Sequence, residues 1–297
     1  MKVTPAFASM ALAIALTICF TDALPSTFDR RQSSSSSSQG YYSPSSNGGS
    51  MLTGNTASGL GEPLNIIVSG NSDAGVLNQV GFEEFSRSFY FSPGSCLNIS
   101  QGGYQTANLG DGNGDKAQTN IMRYNYKQGD GGTCVESLKG GNHFRYWIQN
   151  GSAADSGAVF VAASVELNAT LSHMIADNGY DNGRDEMVGN MTSGTLTSPG
   201  GFEYTVTKET NSQLLNGIQA SQINHNIGID GVVDVLTVRI TKNGTIGAGR
   251  DGSSGSSDGG SVSTPQKSGA MSAFDANFIA GLGSLMFAIS SGLLLIL

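Results

Sequence analysis

The chain has 297 residues, a formal charge of −8, 42 glycines and only 13% charged residues. Such a composition favours turns and short strands over long solvated helices. The acidic balance, with no basic run beyond Arg30-Arg31, excludes a nucleic-acid partner, because phosphate binding needs clustered Lys and Arg.

The N-terminus reads as a secretory signal. Lys2 supplies the positive charge, residues 10–20 (MALAIALTICF) form a short apolar run, and Ala23 offers a small residue for cleavage. Arg30-Arg31 follows, either the end of a short pro-segment or a solvated charge pair. Residues 32–61 are Ser- and Gly-rich with little to bury, so they are expected to be a flexible linker or stalk, open to O-glycosylation, and 24–61 together a pro-segment and linker.

Residues 62–247, about 185 in all, are long enough for one core. Leu64–Val68 is an apolar run that reads as a buried strand. Ser72 or Asp73 could cap a helix after it, carrying Val76, Leu77 and Val80 and then Phe82, Phe85 and Phe89 at helical spacing. That phenylalanine stripe reads as core. Residues 95–100 read as a strand. In residues 107–116 the order Asp111, Asn113, Asp115 has the start of a calcium loop, but Lys116 and Met122 stand where glycine and glutamate are needed, so the stretch reads as a solvated turn and no metal is assigned.

Residues 120–126 alternate weakly. In residues 142–149 alternation puts His143, Arg145 and Trp147 on one face and Phe144, Tyr146 and Ile148 on the other. Residues 157–167 form a second strand, joined to the first through a sequon turn at Asn150, and the two are expected to make a hairpin followed by a polar loop. Residues 202–207 and 232–241 are further strands, with a short helix expected at 213–219. The fold class is α+β: one domain, a mostly antiparallel sheet, a helical region after the first strand, and disordered Ser/Gly-rich flanks.

The chain holds three cysteines, at 19, 96 and 134. Cys19 leaves with the signal peptide. Cys96 and Cys134 read as a disulfide if the protein is secreted, closing a loop worth about 3–4 kcal/mol in the entropy model. Five sequons, at Asn98, Asn150, Asn168, Asn190 and Asn243, suggest glycosylated surface turns. Residues 248–268 form a Gly/Ser stalk. Ser268-Gly269-Ala270, a short spacer and an uncharged tail to Leu297 follow the pattern of a glycosylphosphatidylinositol (GPI) signal spanning 269–297, with attachment at Ser268. A tail-anchored helix is the alternative, weakened by the tail's glycines and serines and by the lack of a basic stop. These readings place the protein outside the cell, anchored in the outer leaflet of the plasma membrane or passed on to a cell wall.

His143, Arg145, His173, Asp177, Arg184 and Asp185 could form a metal or acid/base site, or a buried hydrogen-bond network. No HExxH, cysteine ligand, GxSxG elbow or phosphate loop is present, and the residues name no cofactor. The run His143-Phe-Arg-Tyr-Trp147, the strand from Ala158, His173-Met-Ile-Ala-Asp177 and Gly183-Arg-Asp185 together resemble the LssY C-terminal domain family, in the version seen in fungal secreted proteins. Residues 64–70 and 228–232 resemble its opening strand and closing segment. Ala176 stands where the family tends to have proline, and Asn182-Gly183 replace an acidic residue. That family has no established activity, so the resemblance implies a fold and the importance of His143, Arg145, His173, Arg184 and Asp185, not a reaction. The residues leave two functions open. One is a non-enzymatic surface glycoprotein that binds a cell-wall glycan or small molecule, or is structural. The other is a metal-dependent or acid/base hydrolase using His143 and His173, with Asp177 or Asp185 orienting them.

Overall fold

A computed structural model describes residues 38–54, 60–94 and 104–247. The signal peptide, Arg30-Arg31, Cys96, Asn98, the stalk, Ser268 and the C-terminal tail lie outside the described residues. Among the described residues no helix is long and apolar enough to cross a membrane.

The longest pairing is the hairpin of β6 (Gly141–Gly151) and β7 (Ala154–Glu166), with His143 opposite Ser164 and Trp147 opposite Phe160. On one side lie β5 (Asn120–Tyr124) and β2 (Phe91–Pro93). On the other lie β1 (Ile66–Val68), β10 (Val233–Lys242), β9 (Glu203–Asn211) and β8 (Leu196–Thr197). The sheet order is β2-β5-β6-β7-β1-β10-β9-β8, and every neighbouring pair is antiparallel except β1 with β10. The fold is α+β, a single domain. The expected turn at 107–116 is the bend of a separate hairpin, β3 (Thr106–Asn108) with β4 (Asp115–Ala117). Its Asp111 is buried on Lys116 at 2.9 Å rather than solvated.

Helix α1 (Gln79–Arg87) starts later than the sequence suggests, because Asn78 caps it by accepting from the Gly81 amide. Ser72 and Asp73 are used elsewhere: their side chains accept the Val238 and Ile240 amides of β10. Phe82 and Phe85 of α1 and the following Phe89 bury one sheet face, packing with Phe91, Phe144, Tyr146 and Tyr204. The opposite face buries Trp147, Phe160, Ile67 and Val235.

Part of the expected linker 32–61 is ordered. Residues 38–54 strap across this second face because they do carry apolar anchors: Tyr41 meets Phe160 edge-on at 6.3 Å and Met51 is buried. Gln149 bonds both the amide and the carbonyl of Tyr42. The helix expected at 213–219 is absent; two short 3₁₀ turns, Ala220–Gln222 and Asn224–Asn226, lie just beyond.

Two further helices form, α2 (Thr133–Lys139) and α3 (Gly179–Met191). β1 is three residues long and pairs with β7 only at Val159–Val161, so beyond these residues that edge of β7 has no strand neighbour until Ile175 bridges Glu166. The Asn65 side chain continues the ladder, accepting from the Ala163 amide and donating to the Ala163 carbonyl, while also donating to the Tyr180 carbonyl of α3. Beyond Asn65, α3 takes the place of the missing strand. Gly183 makes this approach possible, since a Cβ there would lie 2.6 Å from the Ser164 Cα. Gly183→Ala is therefore expected to destabilise the domain by about 2–3 kcal/mol through overpacking. Gly189→Ala in the same helix, where an added Cβ meets nothing within 4 Å, should stabilise it by about 0.5–1 kcal/mol. Urea denaturation of the two variants checks both signs.

Candidate functional site

Strand alternation puts Arg123 of β5, His143 and Arg145 of β6 and Ser164 and Glu166 of β7 on one sheet face, with His143 opposite Arg123 on one side and Ser164 on the other. Helix α2 lies over this face and brings Glu136 onto it, and the loop after β7 returns His173. Glu166 is the centre. Its Oε1 is 3.3 Å from His143 Nε2, and its Oε2 is 3.5 Å from His173 Nδ1 and 3.4 Å from Arg123 Nη1. Arg123 Nη1 also lies 2.7 Å from Glu136 Oε2. Arg145 Nη1 is 3.4 Å from Glu62 Oε2 and 3.2 Å from His143 Nε2. Glu62 is held in turn by Gln105 and Thr53.

Nearly all of this is buried. His143 and Glu136 are fully enclosed, while the His173 side chain, 22% exposed, leads to solvent. Ser172 and His173 adopt left-handed backbone with φ of 56° and 51°. Such a conformation costs about 1–2 kcal/mol per residue outside glycine, and here it turns the His173 ring onto Glu166.

The electrostatics follow from burial. His143 is held neutral, its pKa driven well below the usual histidine value by burial first and then by Arg145, Arg123 and His173. Burial raises the Glu136 carboxyl to about 7 against the pull of Arg123. Burial also raises Glu166, again opposed by Arg123. A neutral His143 ring can accept at Nε2 from Arg145 or donate there to Glu166, but not both. Three carboxylates, Glu62, Glu136 and Glu166, face two guanidiniums, Arg123 and Arg145. With all three ionised the cluster would carry one negative charge more than its arginines neutralise, and the raised Glu136 and Glu166 carboxyls show that a proton or a cation is favoured there.

The expected site residues divide. His143, Arg145 and His173 come together. Arg184 and Asp185 belong to a second cluster, in which Arg184 bonds Asp230 through both terminal nitrogens at 2.7 Å, and also the Val232 carbonyl and Asp185. Asp177 is exposed and joins neither. The expectation that Asp177 or Asp185 orients the histidines is overturned: Glu166 fills that role, because it continues the β7 alternation onto the histidine face. Glu166 and Arg123 are findable by extending that alternation and pairing the strands. Glu136 and Glu62 come from a helix and a loop that no periodicity announces. Cys134 of α2 is disulfide-bonded, and its expected partner Cys96 lies outside the described residues.

No family model, curated protein or solved structure matches this chain. What the cluster can do must be argued from its geometry: hold a cation or proton, or pass a proton between His143 and His173 through Glu166.

The second cluster gives a pH test. Asp181, whose Oδ2 accepts the Asp230 amide, is pushed up to about 6 by burial and then by the Asp230 charge, while hydrogen bonding to Arg184 holds Asp230 low. Between the unfolded value of 3.8 and about 6 the folded state keeps a proton that the unfolded chain has released. Asp181 thus contributes stability at low pH that is lost as pH rises through that window. Asp181→Asn should remove this component. Relative to the variant, wild type is expected to lose about 1–2 kcal/mol between pH 4 and 6.5, read from urea midpoints of both proteins across the series. The slopes due to His143 and Glu136 cancel in the difference.

Proposed function

We propose that this chain is a secreted N-glycoprotein, held at the outer leaflet by a GPI anchor. It displays an LssY C-terminal-like domain on a Gly/Ser stalk, where the domain binds a glycan or small molecule or serves structurally rather than by catalysis. The observation that carries this reading is the position of the sequons in the fold. Asn150 at the β6 turn, Asn190 at the end of α3 and Asn243 after β10 are exposed, and Asn168 is half-buried in the loop after β7. None of the four sits in the core, where a glycan would be incompatible with folding. The bonded Cys134 fits an oxidising compartment. The enclosure of His143 and Glu136 speaks for a closed network over a cleft that admits a polymer.

A second reading, a metal-dependent or acid/base hydrolase, is favoured by one observation: Glu166 joins His143 to the partly exposed His173. It requires a small substrate entering beside His173.

Phosphatidylinositol-specific phospholipase treatment of expressing cells should release the protein into the aqueous phase. Peptide-N-glycosidase should then shorten it on a gel, with deamidated Asn150, Asn168, Asn190 and Asn243 found by peptide mass spectrometry. Retention in the detergent phase with residues 269–297 intact would overturn the anchor.

A further inference from the structure

We propose that Glu136, His143 and Glu166 form a binding site for one divalent transition-metal ion, with Zn(II) the best match to their mixed nitrogen and oxygen donors. One donor atom from each of the three comes within 4.8 Å of the others. Bonds of about 2.0–2.2 Å to a shared ion require donors closer than that, a closure within reach of rotations in the two glutamate side chains. One imidazole and two carboxylates are a donor set that zinc accepts, and it leaves a fourth position for water or substrate.

A second observation points to a ligand. Glu136 Oε1 and His143 Nδ1 are completely buried and make no hydrogen bond within the protein. Leaving a buried polar atom unsatisfied is costly, and the interiors of folded proteins seldom tolerate it. Of these two, Glu136 Oε1 is the one offered to the group, on a carboxylate that Arg123 already orients. Glu136 Oε1 remains free because Arg123 holds Glu136 Oε2, and the imidazole nitrogen that faces Glu166 Oε1, at 3.3 Å, is His143 Nε2. A carboxylate with one oxygen on an arginine and the other free is oriented as metal-ligating carboxylates usually are, by a second layer of hydrogen bonds.

The nearby guanidiniums do not forbid a cation. The three carboxylates Glu62, Glu136 and Glu166 outnumber Arg123 and Arg145, so the enclosed charge favours one more positive ion. His173, 3.5 Å from Glu166 Oε2 and partly exposed, is a positioning residue at the solvent side, the route by which an ion enters. The inference does not depend on how the chain is anchored.

The test uses the secreted, untagged chain, stripped with chelator and re-equilibrated with Zn(II) alone. After desalting, elemental analysis should find about one zinc per chain, and the melting temperature should rise by several degrees over the stripped protein. Substituting Co(II) should give a visible d–d band. Glu136→Gln, which keeps the side-chain volume and an acceptor for Arg123, should lose the zinc and the temperature shift, while Asp185→Asn should keep both. If Glu136→Gln does not fold, the wild-type stoichiometry and cobalt spectrum decide. Wild type that retains no zinc and whose melting point does not move overturns the site, leaving the cluster to a proton or water. Zinc bound equally well by folded Glu136→Gln also overturns it, by placing the ion elsewhere.

Discussion

The β6–β7 ladder is the constraint on which the rest of this structure depends. Its strands are the longest in the sheet and lie near its middle, with β5 on one edge, β1 on the other and α2 and α3 against them. Alternation along them creates two chemically unlike interiors. One face presents Phe144, Tyr146, Val159 and Val161 and is closed by the phenylalanines of α1. The other starts apolar at Trp147 and Phe160 and turns charged toward the far end, where Arg145, His143 and Glu166 follow one another. A charged face cannot be closed by another apolar layer without isolating its ions, which is prohibitively costly. It is closed instead by elements that bring partners: Glu136 on α2, Glu62 on the loop before β1, and His173.

That closure sets the character of the cluster. A buried ion pair gains little net stability over a well-packed apolar core, whereas removing one partner leaves an uncompensated charge. The network around Glu166 is therefore poor value as a source of stability. The left-handed backbone at Ser172 and His173 adds a further cost at the same place. Strain and buried charge concentrated at one point are the pattern expected where a structure is shaped for a task as well as for folding. The Arg184 cluster differs. Its carboxylates Asp185 and Asp230 keep substantial solvent contact, and its bonds to Asp230 and the Val232 carbonyl fasten α3 to the entrance of β10. That is a clamp, and it explains Arg184 and Asp185 without any chemistry.

Much of the architecture could be read from residue order because its pattern is local. The two-residue period of 142–149 and 157–167 reports a hairpin with one apolar face, and the phenylalanine spacing reports a helix packed on it. What escaped notice lacks a local pattern. Helix α3 is rich in glycine and asparagine and only weakly amphipathic, because it fills a gap in the sheet instead of lying on a face, so Gly183 is demanded by a contact 19 positions away with Ser164. Asn65 acting as a surrogate strand is equally invisible along the chain. The strap at 38–54 is polar in composition, yet it is held by two apolar anchors, Tyr41 and Met51, by Gln149, which accepts from the Tyr42 amide and donates to its carbonyl, and by further backbone bonds such as Ser50 to Asn108 and Gly54 with Thr106. At the site, histidine and arginine stood out by rarity, while Glu166 became visible only once the register set it beside them.

The run of histidine, arginine and tryptophan from His143 to Arg184 divides by physical role. Trp147 closes the apolar end of its face and donates to the Lys116 carbonyl. Arg145 ties the strand to Glu62, and Arg184 clamps the helix. These roles account for large, expensive side chains by the needs of the fold. His143 is different, because a neutral imidazole with a buried, unpartnered Nδ1 adds nothing to packing that an apolar ring would not supply more cheaply. Any chemistry this domain performs has its firmest physical basis at His143 and the two carboxylates Glu136 and Glu166, rather than across the whole run of conspicuous residues.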